Sequence, residues 1–442
     1  GAVPIARASE WTPNTQKNYF WYRRLSVRAP EECHSTDFSK PKTIFELIDY
    51  ALWHNPNTKK TWADARAAAF NVGVEKSYLY PSLNLKETMA WITEDGQGGI
   101  DSSNLASLGI TSNNLPSTGV GSENFNVLVT DILLSYLVVD FGGRMANIEA
   151  AKQALYASNW THNRSLQNVI IDVIDAYYNQ INAGAIYLAS LRTLEDAQFA
   201  LDAAEKRYAA GVKNIADVLQ ARSSAAGAQL NVVDSKGKFS ISKGKLARQI
   251  GLRANVEIEV DILPDNLEIE KVSENVEQLM CLARQRRPDL AAMYANLLEK
   301  EAELKSAWSS GMPTITANIE VVDDYFINNT LFNGSNYAGA FFLNVPIFNG
   351  FYYVNQLREA RAKVLSAYAD LQNKQYDISL EVLESYYNYQ TAVENLEYSQ
   401  KFLDSSTENY NVALANYKEG TGDILEVLNA LKDLAQARSQ FV

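Results

Sequence analysis

The chain has 442 residues, 40 Lys and Arg against 52 Asp and Glu, and a formal net charge of -12. That balance offers no cationic footprint for a phosphate backbone, so nucleic-acid binding is excluded; with 47% hydrophobic residues and 21% charged ones, so is disorder. No apolar run reaches the ~18 residues that a transmembrane helix needs, whereas a membrane β-barrel stays open because its strands alternate and give no hydropathy peak.

In chain order, residues 1–43 form an extension that carries Trp11, Tyr19, Phe20, Trp21 and Tyr22 beside Arg23 and Arg24. No apolar leader stands at Gly1, so the chain reads as a processed one. Cys33 does not follow a lipoprotein cleavage pattern; it and Cys281 make no disulfide framework, and free thiols are expected. Three scattered histidines offer no zinc set, and neither a metal nor a cofactor is expected.

From residue 44 the chain repeats itself. Residues 44–85 match 276–317 at an offset of 232, with Leu47 on Leu279, Ala51 on Ala283, Pro56 on Pro288 and Pro81 on Pro313. Residues 138–144 then meet 345–351, with Phe141 on Phe348 and Gly143 on Gly350. Residues 175–183 meet 384–392, and 207–221 meet 416–430, both at an offset of 209. Four blocks in one order, with their Pro and Gly punctuation in register, indicate a duplicated unit. The expected division is a first repeat over 44–251, a linker over 252–275 and a second repeat over 276–442.

Each unit opens with a helix, a proline and an Ala-rich helix, then turns into alternating segments after its second proline. Residues 82–139 and 314–348 are the expected strand hairpins, alternating cleanly in the second unit and interrupted by Glu87 and Asp131 in the first. Each strand is ~10–14 residues, the length that crosses a bilayer when tilted. Aromatics cluster at both ends: Phe141, Phe348, Phe351, Tyr352 and Tyr353 at one, Trp91, Tyr325 and Phe326 at the other. The Gly/Ser/Asn-rich stretch 96–124 is a loop. If the hairpins span a membrane it lies on the outside, so antibody or protease should reach it on intact cells; access only after the outer membrane is breached would reverse the topology.

Helical hairpins follow over 144–250 and 351–442. From Arg144 to Arg207 there is no proline and one interior glycine, and from Phe351 to Asn416 there is neither. At 1.5 Å per residue each run reaches roughly 95–100 Å. A heptad-like apolar seam runs from Val364 through Tyr368, Leu371, Ile378, Val382, Tyr386, Tyr389, Val393 and Leu396 to Leu403. Each long helix ends at Tyr-x-x-Gly, where a glycine lets the chain reverse.

This order of elements, with RQRRPDL at 284–290 and RYAAGVKNIADVLQA at 207–221, resembles the TolC family of outer-membrane channels over residues 44–442. The resemblance implies a mixed α/β membrane protein: a homotrimer whose chains each give four strands to one twelve-stranded β-barrel, continued by a long antiparallel α-helical periplasmic barrel. Four strands alone have open edges and cannot span lipid, which is why closure needs partner copies. The implied location is the Gram-negative outer membrane, in contact with its lipid. The implied partners are a periplasmic membrane-fusion adaptor and an inner-membrane pump or ABC transporter. The implied role is passive export of drugs or polypeptides. Residues 1–43 have no counterpart in compact members and are expected along the periplasmic waist. The alternative is a soluble periplasmic coiled-coil scaffold without channel activity.

No catalytic motif is found and no enzyme is expected. The resemblance makes Asp217 and Glu426 an aperture ring of 2 × 3 = 6 carboxylates that favours cations; helix-start acids are the other reading. It places Asp217 and Tyr417 in a latch whose arginine falls here on Gly422 and whose second acid falls on Asn429, leaving Lys213 or Lys418 as substitutes. It makes Arg207, Tyr208, Gly211, Val212, Tyr417, Gly420 and Thr421 the adaptor-contact tips.

Overall fold

The computed structural model describes residues 41–93, 124–261, 275–327 and 334–442. The extension 1–40, nearly all of the loop over 96–124 and most of the 252–275 linker lie outside them. The elements are α1 (Ile44–His54), α2 (Pro56–Ser77), β1 (Ser82–Thr93), β2 (Asn124–Val139), α3 (Gly143–Ala209), α4 (Ile215–Gln249), α5 (Val276–Arg286), α6 (Pro288–Ser309), β3 (Thr314–Phe326), β4 (Gly334–Asn344), α7 (Tyr352–Glu419) and α8 (Ile424–Phe441).

The two units repeat down to their caps. Thr43 and Glu46 form a capping box at α1, and Asn275 and Gln278, 232 residues on, form one at α5. Pro56 and Pro288 each open the next helix at its first turn, where the missing N–H costs nothing. One alignment shifts. The left-handed pair that swings strand into helix is Phe141–Gly142 in the first unit and Gly350–Phe351 in the second. The helix starts, Gly143 and Tyr352, therefore differ by 209, and Phe141 corresponds to Gly350 rather than to Phe348. The aromatic is free to slide because it marks the end of the sheet, whereas backbone chirality fixes the turn.

The strands form one antiparallel meander, β1-β2-β3-β4, with β1 and β4 as open edges. The register sorts the side chains into two faces. One carries Leu83, Leu85, Met89 and Trp91, then Leu128, Ile132 and Leu134, then Ile319, Val321 and Tyr325, then Tyr337, Phe341 and Leu343. Most of these are exposed in the single chain, as lipid-facing residues must be. The other face sets Lys86 opposite Asp131 and Ser135 opposite Asn318, whose side chains hydrogen-bond at 2.9 Å. Asp131 thus belongs to the polar inner face. Glu87 lies on the outer one, in a row with Thr130, Asp323 and Ser335.

Below the sheet the helices stand side by side as a wall. Its upper half runs α2, α3, α6, α7 and its lower half α4, α3, α8, α7. α3 spans 67 residues and α7 spans 68, so each crosses both halves. The end of α4 stacks under the start of α2: the Asn55 amide donates to the Gln249 carbonyl at 2.7 Å. Gly251, at φ +90°, sits so close beneath His54 that a Cβ would lie 2.8 Å from its carbonyl oxygen. At this waist Leu47 and Ala51 of α1 pack with Val169, Val173 and Tyr177 of α3 and with Leu246, Ile250 and Ile258. A second core, Ala-rich along α3, joins the two hairpins near their tips. Along α7 only Leu371 and Ile378 of the expected seam are fully buried. Tyr368 and Leu396 are exposed, because a wall two neighbours wide occupies less of the helix than a closed bundle would.

Candidate functional site: the helical tip

The tip turns follow from local chemistry. Asn214 accepts from the Ala216 amide and Asp423 from the Ile424 amide, so each return helix has its own N-cap. Asp217 and Glu426 both stand at the third helical position with the caps already supplied. They keep a favourable dipole interaction, but capping does not account for them.

Tyr417 is the centre of the site. It is 0% exposed, although it sits one turn from the end of α7. Its hydroxyl donates to Asp217 Oδ2 at 3.4 Å, across from one hairpin to the other. The Arg207 guanidinium lies 5.1 Å from its ring centroid, and the Lys213 ammonium lies 6.0 Å away. An Arg207 N–H also donates to the Tyr417 carbonyl. Burial, then the Asp217 charge, push the Tyr417 phenol up to about 12 against the opposing pull of Arg207, so it is protonated and can donate. Lys213 completes the group with an ion pair to Asp423 at 3.9 Å. Higher up, Arg438 pairs with Asp196 at 2.7 Å, and the Tyr410 hydroxyl donates to the Asp196 carbonyl at 3.0 Å.

The sequence-derived residues therefore separate. Asp217, Tyr417, Arg207 and Lys213 come together; Lys418 is exposed and takes no part. Asp217 is half-buried against Tyr417, whereas Glu426, its equivalent in the second unit, is exposed. Tyr208, Gly211, Val212 and Thr421 are exposed at the turns. Two glycines shape the tip by what they lack. A Cβ on Gly420, at φ +96°, would lie 3.0 Å from the Arg207 guanidinium. One on Gly422 would lie 3.1 Å from both the Asn416 Cβ and the Tyr417 amide. The position on which the family's latch arginine falls is therefore tight for any side chain, and the cation beside Tyr417 is Arg207, from the other hairpin. Asp423 and the Arg438–Asp196 pair were not anticipated. The only available signal was a repeated acid-rich helix start, too common to single out.

A second charged knot lies at the waist. Arg287 holds Asp289 through two hydrogen bonds of 3.0 and 2.7 Å, and Lys374 of α7 reaches the same carboxylate at 3.0 Å. Arg164 of α3 stands 3.9 Å from it, and Arg287 also pairs with Glu381. Burial would raise the Asp289 carboxyl, but hydrogen bonds from Arg287 and Lys374 outweigh it and hold the group at about 2.

A sheet that buries nothing on its outer face, set on a wall of paired helices whose two hairpins join round a buried tyrosine, is the architecture of a channel protomer. The family model for outer membrane efflux proteins matches residues 47–252 and 279–442, and the chain belongs to that family of outer-membrane channels reaching into the periplasm. It is 26% identical to the protein CyaE of Bordetella pertussis over 405 residues, 90% of this chain and 80% of that one. It is 21% identical to the outer membrane protein TolC of Escherichia coli K12, over 92% of this chain and 79% of TolC. The crystal structure of VceC from Vibrio cholerae superposes with a TM-score of 0.72 at 18% identity, covering 90% and 91% of the two chains. Among the described residues no helix is long and apolar enough to cross a membrane.

Proposed function

We propose that three copies of this chain form the passive outer-membrane exit duct of a tripartite efflux pump or a type I secretion system. A periplasmic adaptor would meet the tips, and an inner-membrane pump or ABC transporter would supply the energy. The observation that carries this reading is the continuity of one chain, from four strands with a lipid-compatible face to helical hairpins latched at their far end. Exposed Tyr208, Val212 and Thr421 at the turns give the adaptor a surface. Deleting the gene and comparing drug sensitivity with the secreted proteome tests it. A strain unchanged in both would reject the duct and favour a scaffold.

Within this reading Asp217 and Glu426 set a cation preference at the aperture. Both stand six residues beyond a turn glycine, so they lie at one height in their hairpins. Three copies gather six carboxylates, three of them half-withdrawn against Tyr417. In planar bilayers the Asp217→Ala/Glu426→Ala double variant should lose most cation selectivity and any block by polyvalent cations. Glu426→Ala alone should account for the larger share, because Glu426 is the exposed acid. Wild-type selectivity in the double variant would place the filter elsewhere.

A further inference from the structure

One side of the upper helical wall is polar and grooved. Thr61, Asp64 and Ser158 line one groove with Asn296 and Glu299, and Asn147, Glu303 and Glu359 line another. Asn296, Glu299 and Glu303 share one face of α6, so both grooves open on the same side. At ~100° per residue, the opposite side of each helix carries exposed aromatics. They are Trp62 on α2, Tyr156 and Trp160 on α3, Tyr294 on α6 and Tyr368 on α7. Helix α5 lies against this side: the Arg284 guanidinium donates to Ser379 Oγ at 3.1 Å. Ser379 stands 11 residues beyond Tyr368, almost three whole turns, and so shares its face. An extra helix laid on a wall that encloses a duct belongs to the convex side, which turns the aromatics to the periplasm and the grooves to the lumen.

The five rings lie at one level. Counted from the end of each helix next to the sheet, at Ser77, Gly143, Ser309 and Tyr352, they stand 13 to 17 residues away. That is ~20–25 Å of helix rise. Since the wall runs α2, α3, α6, α7, they cross it as a belt parallel to the membrane and perpendicular to the duct. Cations gather on the same side. The Arg66 guanidinium stacks over the Trp62 ring at 5.2 Å, and Lys59, Lys305 and Arg361 are exposed. Lys152 pairs with Glu149 at 3.3 Å, and Glu301 is a second acid there. Among these charges five cations stand against two acids, on a chain whose net charge is -12.

We propose that this belt docks a strand of carboxylated glycan, the polymer of the periplasmic cell wall. This rests on the duct reading above and adds a partner to it. A pyranose ring shows C–H bonds on its faces, and their slightly positive hydrogens suit the negative faces of Trp and Tyr. Neighbouring helices lie about 8–10 Å apart, close to the distance between alternate rings of an extended glycan strand. The cations around the rings match the carboxylates of such a polymer. A row of exposed aromatics across a whole wall marks an interaction surface rather than surface left to water. Cell-wall glycan lies parallel to the membrane, as the belt does, so it meets the duct where the duct passes through it.

Co-sedimentation of the intact chain, purified in mild detergent, with peptidoglycan sacculi tests it. Wild type should pellet with the sacculi and be released by high salt and by soluble muropeptides. Trp160→Ala/Tyr294→Ala, in the middle of the belt, should bind roughly tenfold more weakly. Trp160→Phe/Tyr294→Phe keeps the rings and should keep most of the binding, which separates stacking from a folding defect. Lys305→Glu/Arg361→Glu should bind weakly even at low salt. Wild type that stays in the supernatant, or an alanine variant that pellets like wild type, overturns the belt. So does pelleting that appears only once residues 1–40 are removed, because the extension then covers the rings in the intact chain. A trimer that conducts in planar bilayers yet ignores sacculi rejects the glycan and keeps the duct. A chain that neither trimerises nor conducts rejects the duct reading itself.

Discussion

Replacing Tyr417 by alanine is expected to raise single-channel conductance in planar bilayers several-fold and to leave cation selectivity nearly unchanged. The side chain is wholly buried between the hairpins, so its removal empties a packed site. Truncation of a buried aromatic costs about 3–5 kcal/mol. The same change removes the ring beneath Arg207 and Lys213 and the hydroxyl that donates to Asp217. The α3–α4 and α7–α8 tips then keep the Arg438–Asp196 pair higher up and the Lys213–Asp423 pair at the turns but lose the buried contact between them. Selectivity stays because Glu426 is untouched. Tyr417→Phe keeps the ring and loses a hydrogen bond of 3.4 Å, so its conductance should rise only modestly. A Tyr417→Ala channel that inserts as a trimer with wild-type conductance would show that the tip is held shut by something else.

Asp289→Ala should lower the thermal unfolding midpoint of the assembly more than any surface charge change. Asp289 sits where α3, α6 and α7 meet, its side chain 12% exposed, with Arg287, Lys374 and Arg164 gathered round one carboxylate. Removing the shared anion leaves two or three cations facing each other in a partly dry site. Losing one partner of a buried ion pair costs about 3–5 kcal/mol, and Glu381, which still pairs with Arg287, places the effect toward the lower figure. The pH dependence has a definite sign. A carboxyl depressed from 3.8 to about 2 in the folded chain contributes stability above its unfolded value and loses it as the pH falls through about 2. Wild type and Asp289→Asn should therefore differ fully above pH 3.8 and converge in strong acid, as followed by circular dichroism. Identical midpoints at neutral pH would mean that apolar packing at the waist carries the joint alone.

Much of this molecule is written locally. Pro56 and Pro288 start helices and Gly211 and Gly420 turn them, each by its own backbone preference. Alternation after Pro313 announces β3 and β4 because a strand repeats every two residues. Two Pro-free runs announce helices of 67 and 68 residues. Duplication could be read because punctuation kept its spacing, and it implied in advance that both hairpins end level with each other.

What joins the hairpins could not be read in that way. Arg207 and Tyr417 lie 210 residues apart, and no local rule selects Arg207 over Lys213 or Lys418 as the cation beside Tyr417. The choice depends on the space left by Gly420 and Gly422 once the chains pack. Asp217 and Glu426 are equivalent in sequence and differ in surroundings, because the Tyr417 hydroxyl reaches Asp217 while Tyr208, its counterpart in the first unit, stays exposed. The knot at Asp289 likewise draws on α3, α6 and α7 at once. Sequence by itself determined the elements, their lengths and their order, since those follow from periodicity and backbone chirality within a few residues. Only the tertiary structure decided which charges neutralise one another and which stay exposed, because those energies depend on distance and burial between segments that the chain order keeps far apart.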